Sequence, residues 1–240
     1  MSKYAKVAAA LQSEIEQGTY EPGDKLPITP DLCKLYGVSN TTIKKALDEL
    51  EQLGLIARRR GSGIYVKSAS SLLKGQQGSP ATSGQMTGLT AEYAGTKTTV
   101  TSDVHEFTIV HPSQEVADSL DMSTQEFVYY ICRTRLTDGK PCNVEYTYMP
   151  ISLIPGLVEE HVRGSSYHYI EDELRLKIGS AHRVLRAVLP TEDEVAWLEV
   201  APGTPLFEVR QVAYLDDGVP FEYSTVHHTS DYEFYVVSTY

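Results

Sequence analysis

Residues 68–88 read SASSLLKGQQGSPATSGQMTG, and no other stretch constrains the chain as much. Ser, Gly, Gln and Thr dominate it and no apolar period is sustained through it, the pattern of a linker. A linker there divides the chain into two separately cored parts, 1–67 and 89–240. The charge divides at the same place. The whole chain of 240 residues carries a formal net charge of −11, which on its face argues against a nucleic-acid partner. Residues 1–67 nevertheless hold ten Lys/Arg against eight Asp/Glu, whereas 68–240 hold eleven against twenty-four. A first part at +2 and a second at −13 suit different partners.

Hydrophobic residues at 41% and charged residues at 22% are ordinary for globular proteins, so wholesale disorder is excluded. No apolar run approaches the roughly 18 residues that a membrane helix needs. The start MSKYAKVAAALQSE lacks the apolar core of an export signal. Cys33, Cys132 and Cys142 are odd in number and widely spaced, which fits neither a zinc pairing nor a disulfide framework. A reduced, cytoplasmic protein without metal or cofactor is expected.

The first part reads as three helices and a hairpin. Val7, Leu11 and Ile15 recur at i, i+4 and i+8 as the stripe of a first helix, which Gly18 and Pro22-Gly23 end. A short second helix covers 29–35 and stops at Tyr36-Gly37. Ser39 or Asn40 caps a third, whose Ile43, Ala46, Leu47, Leu50 and Leu53 face a core before Gly54 ends it. Strands at 56–60 and 64–66 flank Gly61-Ser62-Gly63.

Two helices joined at Tyr36-Gly37-Val38, the second with a polar start, form a helix-turn-helix pattern. Ser39, Asn40, Thr41 and Thr42 offer hydroxyls and an amide for phosphates and base edges, and Lys44 and Lys45 offer charge for phosphates. Arg58, Arg59 and Arg60 with Gly61, Ser62 and Gly63 make a basic wing able to approach a minor groove. Either basic run alone reads equally well as solvated surface. Together they sit on the edges that a winged helix presents to DNA.

Residues 1–67 resemble the GntR family of bacterial regulators. The resemblance runs through Tyr20-Glu21-Pro22-Gly23-Asp24-Lys25-Leu26-Pro27, Tyr36-Gly37-Val38-Ser39 and Thr42-Ile43-Lys44-Lys45-Ala46-Leu47. It continues through Leu53-Gly54-Leu55-Ile56 and Arg60-Gly61-Ser62-Gly63-Ile64-Tyr65-Val66. Pro30, Asn40 and Lys44 stand where the family usually carries Arg, so bidentate guanine reading is absent at three places. Asn40 is suited to adenine instead, and Arg58 to Arg60 are left to carry more of the affinity.

The second part alternates strands with helices, which suggests an α+β fold with a mainly antiparallel sheet. Strands at 126–136 and 143–149 flank Asp138-Gly139-Lys140-Pro141, and strands at 206–215 and 220–226 flank Asp216-Asp217-Gly218. The two hairpins form a weak internal repeat, each carrying D-G-x-P followed by Glu-Tyr: Glu145-Tyr146 and Glu222-Tyr223. Helices are expected at 113–120, 167–174 and 192–198. Arg133 and Arg135 lie two apart and share a face, a pair suited to a phosphate. Glu145 and Glu222 suit sugar hydroxyls or an amine, and Gly164-Ser165-Ser166-Tyr167 ahead of a helix suits an anion. The same Arg and Glu residues also read as ordinary cross-strand ion pairs. His227 and His228 are neighbours in a strand and point to opposite faces, which argues against a two-His metal site.

Residues 88–237 resemble the UTRA effector domain of HutC-type GntR regulators. The stretches that carry this are Arg133-x-Arg135, Asp138-Gly139-Lys140-Pro141, Glu145-x-x-Tyr148-Met149-Pro150, Pro190 to Glu194, Pro202 to Leu206, and Asp217 to Ser224. The resemblance implies a chorismate lyase-like fold and a small metabolite as ligand, often a phosphorylated sugar. It places a phosphate on Thr90, Arg133, Arg135, Ser165 and Tyr167, and a sugar on Glu145 and Glu222. His228 stands where a Tyr is often found late in the last hairpin. The whole reads as a ligand-responsive repressor, a homodimer on double-stranded operator DNA, released by a small anionic effector. The alternative is an enzyme acting on such an anion through the chorismate lyase-like domain.

Overall fold

The structure, a computed structural model, describes residues 2–68, 88–93, 95–230 and 232. Nearly all of the expected linker, and the chain beyond residue 232, lie outside the described residues. The chain falls into two compact units, with 2–68 in one and 88–232 in the other. Among the described residues no helix is long and apolar enough to cross a membrane.

The first unit contains α1 (Lys3–Glu16), α2 (Thr29–Tyr36), α3 (Asn40–Gln52) and the hairpin β1 (Ile56–Arg59) with β2 (Gly63–Val66). Its core joins Val7, Ala8 and Leu11 of α1, Leu32 of α2, and Ile43, Ala46, Leu47 and Leu50 of α3, closed by Ile56 and Val66 of the hairpin. The turn between α2 and α3 is set by Gly37, whose left-handed φ of 63° caps α2 without a Cβ penalty. Ser39 then caps α3 by accepting from Thr42 N at 3.2 Å. Pro30 lies in the first turn of α2, where a missing N–H costs nothing. Two details differ from expectation. Leu53 caps α3 rather than facing its core, and the first strand ends at Arg59, leaving Arg60 in the turn.

The second unit is one antiparallel sheet of six strands in the order β3-β4-β5-β8-β7-β6. These are β3 (Val100–Val110), β4 (Val128–Thr137), β5 (Lys140–Pro150), β6 (Ile178–Val188), β7 (Leu206–Leu215) and β8 (Pro220–His228). The edge strands β3 and β6 were not expected. Short helices complete the unit: α4 (Leu89–Glu92), α5 (Gln114–Ser119), α6 (Glu159–Arg163), α7 (Ser166–His168) and α8 (Glu192–Trp197). The helix expected at 167–174 is instead the three residues of α7 running into a π-helical turn, Tyr169–Glu173.

The repeat seen in the hairpins extends through the whole sheet. Each half is strand, short helix, hairpin: β3-α5-β4-β5, then β6-α8-β7-β8. Ser113 caps α5 and Thr191 caps α8 through their hydroxyls. Each helix ends at a Leu followed by an acidic residue in left-handed backbone, Asp121 (φ 49°) and Glu199 (φ 55°). The halves meet at β5 and β8, where Glu145 faces Val226 and Asn143 faces His228.

One buried ion network ties α8 to the sheet. Glu194 closes the cap of α8 by accepting from Thr191 N at 2.8 Å. Its other oxygen meets Tyr146 Oη at 2.8 Å and His227 Nδ1 at 2.6 Å. His227 Nε2 reaches Glu208 at 3.0 Å, and Arg186 donates to the same carboxylate. An imidazole with a carboxylate on each nitrogen satisfies both only as the imidazolium. Burial opposes that charge, yet the two carboxylates hold the His227 pKa above its ordinary value. Burial likewise pushes Glu194 up, but His227, the Thr191 amide and Tyr146 hold it at about 2.

The sign of each shift sets a pH window. The stabilisation from His227 is complete below its ordinary pKa of 6.5 and is lost as pH rises through the raised value. That from Glu194 is lost only as pH falls towards about 2. Thermal melts should therefore show stability declining above about pH 6.5, and His227→Gln should flatten that decline while costing about 3 kcal/mol at pH 6. An unchanged slope in the variant would remove His227 from the network's titration.

Candidate functional sites

On the first unit, Ser39, Asn40 and Thr41 are exposed at the start of α3, Thr42 is half-buried, and Lys44 and Lys45 are exposed one turn on. Lys45 Nζ lies 5.8 Å from the centre of the Tyr4 ring. The apolar positions Ile43, Ala46 and Leu47 hold the opposite side of the same helix in the core, so the polar side faces outward. In the hairpin, Arg59 and Arg60 are exposed, with Gly61, Ser62 and Gly63 completing the turn. Among the described residues, Lys44, Lys45, Arg59 and Arg60 make no ion pair. Arg58 differs: its guanidinium meets Asp48 at 2.5 Å and Glu51 at 3.5 Å, both on α3. One third of the expected basic wing is thus engaged in joining the wing to α3. The stem of Lys25 runs against Gly63, filling the space a side chain there would need. This lysine beside the wing was not singled out in the sequence.

On the second unit, strand register collects the expected effector residues on one face of the sheet. One row across β4, β5 and β8 is Arg133, Glu145 and Val226; the next is Arg135, Asn143 and His228. A third row runs Thr147, Ser224, Gln211 and Arg183 through β5, β8, β7 and β6. Glu222 shares this face two residues along β8 from Ser224. The segment from α6 to α7 supplies Ser165 and Tyr167, and α4 supplies Thr90.

Arg135 is almost wholly buried. It donates to Ser102 Oγ at 2.7 Å, to the carbonyl of Gly164 at 2.9 Å and to Thr90 Oγ1 at 2.6 Å. Arg133 meets Glu145 through Nε at 2.7 Å and Nη2 at 2.6 Å, and donates to the carbonyl of Val162. Burial pushes the Glu145 carboxyl up, but the Arg133 and Arg135 charges outweigh it and hold the pKa below the ordinary value. Glu222 behaves oppositely. Burial raises it, and Glu145 adds to the rise, although Gln211 (2.8 Å), Ser224 (2.9 Å) and Tyr167 (3.2 Å) all donate to its Oε1. Burial and the neighbouring Glu222 lift the Tyr167 phenol well above its ordinary range. Burial lowers His228 to about 4, so the imidazole on this face is neutral near pH 7.

Two buried polar atoms on or beside this face have no partner among the described residues: Asn143 Oδ1 and Ser166 Oγ. Orphaned groups of this kind in a polar cluster are what a polar ligand satisfies. The anion site expected at a helix start takes a different form. The hydroxyl of Ser165 already caps α7 by accepting from His168 N at 3.2 Å, and three α-helical residues carry little dipole. Anion recognition here rests on guanidinium and hydroxyl groups. Sequence reasoning missed Ser102, Asn143, Arg183, Gln211 and Ser224. Asn143 and Ser224 lie two residues from Glu145 and Glu222 on the same strands, an even offset that could have found them; Ser102, Gln211 and Arg183 lie on strands from which no site residue was chosen, and only the sheet register brings them to this face.

A winged helix with an exposed basic face, followed by a sheet domain with a convergent set of Arg, Glu, Tyr and hydroxyl groups, defines a DNA-binding transcriptional regulator that senses a small molecule. Residues 3–66 match the family described as bacterial regulatory proteins, gntR family, and residues 96–233 match the UTRA domain. The chain belongs to the GntR family and carries a UTRA effector domain of the HutC-like type. It is 34% identical to the HTH-type transcriptional regulator GmuR of Bacillus subtilis, over 96% of this chain and 95% of that one. It is 28% identical to the mannosyl-D-glycerate transport/metabolism system repressor MngR of Escherichia coli, over 98% and 95%. Its fold matches the crystal structure of the possible transcriptional regulator YydK of Bacillus subtilis across 100% of both chains, with a TM-score of 0.79 and 31% identity. This kinship indicates a DNA-binding transcriptional regulator.

Proposed function

We propose that this regulator is a homodimeric, cytoplasmic repressor of a sugar-utilisation operon, and that a phosphorylated sugar releases it from operator DNA. Ser39, Asn40, Thr41, Thr42, Lys44 and Lys45 meet the major groove and its phosphates, while Arg59, Arg60 and the 61–63 turn meet the flanking backbone. A dimer supplies the two half-sites that helix-turn-helix proteins usually read. The observation that carries the effector reading is the convergence of Arg133, Arg135 and Thr90 with Glu145 and Glu222 on one buried face. A phosphate is the ligand group best matched to paired guanidiniums. The name of the relative MngR, a repressor of mannosyl-D-glycerate metabolism, supports a carbohydrate.

The contacts of the two arginines support a route from ligand binding to a conformational change. The carbonyls of Val162 and Gly164 accept from the two arginines. Phosphate oxygens take those donors in their place, which frees the backbone between α6 and α7. Ligand shifts a conformational equilibrium only through such differential contacts, and a coupling of about 1–3 kcal/mol suffices.

Arg133→Ala should abolish release of operator DNA by sugar phosphates while leaving operator affinity without ligand unchanged. Gel shifts with and without a panel of hexose 6-phosphates read both quantities, and retained release would move the phosphate elsewhere. Lys44→Ala should weaken binding to all DNA sequences and lower the slope of log affinity against log salt by about 1. An unchanged slope would remove Lys44 from the phosphate contacts.

A further inference from the structure

The wing carries a cation that belongs to no basic run. Residues 23–26 lie along the free edge of β2. Gly23 N donates to the carbonyl of Val66 at 2.8 Å, Val66 N to that of Asp24 at 2.9 Å, and Leu26 N to that of Ile64 at 2.9 Å. Lys25 pairs there with Tyr65, and Tyr65 pairs with Ala57 of β1. Side chains alternate along a strand, so this row shares a face with the row two residues on, Arg59 with Gly63. Ile56, Ile64 and Val66 take the other face, against the core, and Arg58 goes with them. Alternation thus sorts the consecutive arginines. Arg58 turns inward to Asp48 and Glu51 of α3, and Arg59 turns outward.

Lys25 takes the outer place beside Arg59. Gly63 is the cross-strand partner of Arg59, and the stem of Lys25 crosses it, with Nζ 3.2 Å from the point where a Cβ on Gly63 would stand. The ammonium is thereby carried to the tip of the wing, on the face that Arg59 occupies. Nothing acidic answers it there. Asp24 turns back to accept from Glu21 N at 2.8 Å, and Tyr65 Oη is held by Ser62 Oγ at 2.6 Å. Among the described residues neither Lys25 nor Arg59 makes an ion pair, and both are exposed. Two like charges converging on an open face are matched by anions from outside, and a DNA backbone presents them as a regular row of phosphates.

We infer that Lys25, and not Arg58, stands beside Arg59 as a DNA-backbone contact of the wing. The inference rests on the DNA-binding reading above and extends its contact set to a residue outside both the helix-turn-helix and the run of three arginines. It also gives Gly63 a second role, since any side chain at that position would compete with the Lys25 stem for the same space.

The test is fluorescence anisotropy with the full chain and a mixed-sequence DNA duplex across about 50–200 mM salt. Lys25→Met keeps an unbranched stem over Gly63 and removes the charge. It should lower the slope of log affinity against log salt by about 1, so that its deficit at about 50 mM salt is about threefold greater than at about 200 mM. Its thermal melt should overlay that of the unmodified protein. Lys25→Arg should keep the unmodified slope. Arg58→Gln should keep it too, even where the freed carboxylates of Asp48 and Glu51 weaken binding at every salt concentration. A merely structural Lys25 predicts the reverse for Lys25→Met, a lower melting temperature with the slope unchanged. An unchanged slope in Lys25→Met, or a slope lowered by about 1 in Arg58→Gln, would overturn the inference and leave the DNA-binding reading standing. Absence of salt-dependent binding by the unmodified protein would overturn that reading and this inference with it.

Discussion

The antiparallel pairing of β5 with β8 is the constraint on which the second unit depends. In that register Asn143 faces His228 and Glu145 faces Val226. Because side chains alternate between faces along a strand, the register decides which of two adjacent histidines enters which environment. His228 joins the proposed effector face, where burial lowers its pKa to about 4, while His227 joins the opposite face, where Glu194 and Glu208 hold its pKa above the ordinary value. A slip of one residue would exchange them, withdraw His227 from the two buried carboxylates, and turn Glu222 away from Tyr167 and Gln211. Register is accordingly specified from both sides of the sheet.

The same pairing joins the two halves of an internal repeat, which explains why the residues of the proposed effector face divide as they do. The first hairpin contributes Arg133, Arg135 and Glu145; the second contributes Gln211, Glu222, Ser224 and His228. The equivalent helices α5 and α8 carry caps and acidic C-terminal residues of the same kind, yet only α8 is bound into a buried ion network. The acidic run around Glu192 to Glu194 is therefore more than a solvated helix start. Glu192 and Asp193 complement the helix terminus, while Glu194 turns inward to cap the helix and hold His227.

What the sequence made legible follows from how local each signal is. The winged helix was readable because its determinants are short range: Gly37 in left-handed backbone, Ser39 as a cap, and apolar positions at helical spacing in α3. The Asp138-Gly139 turn was readable for the same reason, since both residues take positive φ and few others do so cheaply. Strands β3 and β6 were missed because they are sheet edges, half-exposed along their length, and polar residues such as Ser102, Asp103, His182 and Arg183 interrupt their apolar pattern. Losing β6 also concealed Arg183. The segment 167–174 reads as one helix in the sequence; in the structure Tyr169 and Ile170 are packed into the core from a π-helical turn. The orphaned Asn143 is a tertiary feature that no local pattern announces.

The charge of the first unit can now be weighed with its partners in place. Its net value of +2 counts every basic residue alike, but they are not alike. Arg58 is matched by Asp48 and Glu51, so it contributes rigidity between wing and α3 and little free charge. Lys44, Lys45, Arg59 and Arg60 remain exposed and without ion pairs among the described residues, and Lys25 lies beside the wing. The positive potential is therefore concentrated on one face while acidic residues such as Glu14, Glu16 and Asp31 lie elsewhere on α1 and α2. Affinity for DNA follows the number of phosphates neutralised at the contact face and not the sum over the chain. With about four or five such cations per head, a single head is expected to bind weakly and with steep salt dependence. Two heads on one operator multiply their contributions through effective concentration, provided that their spacing fits the half-sites. In the proposed dimer, an effector that alters that spacing would need to remove only the multiplication, and a modest coupling free energy would then suffice to release heads that each hold DNA loosely.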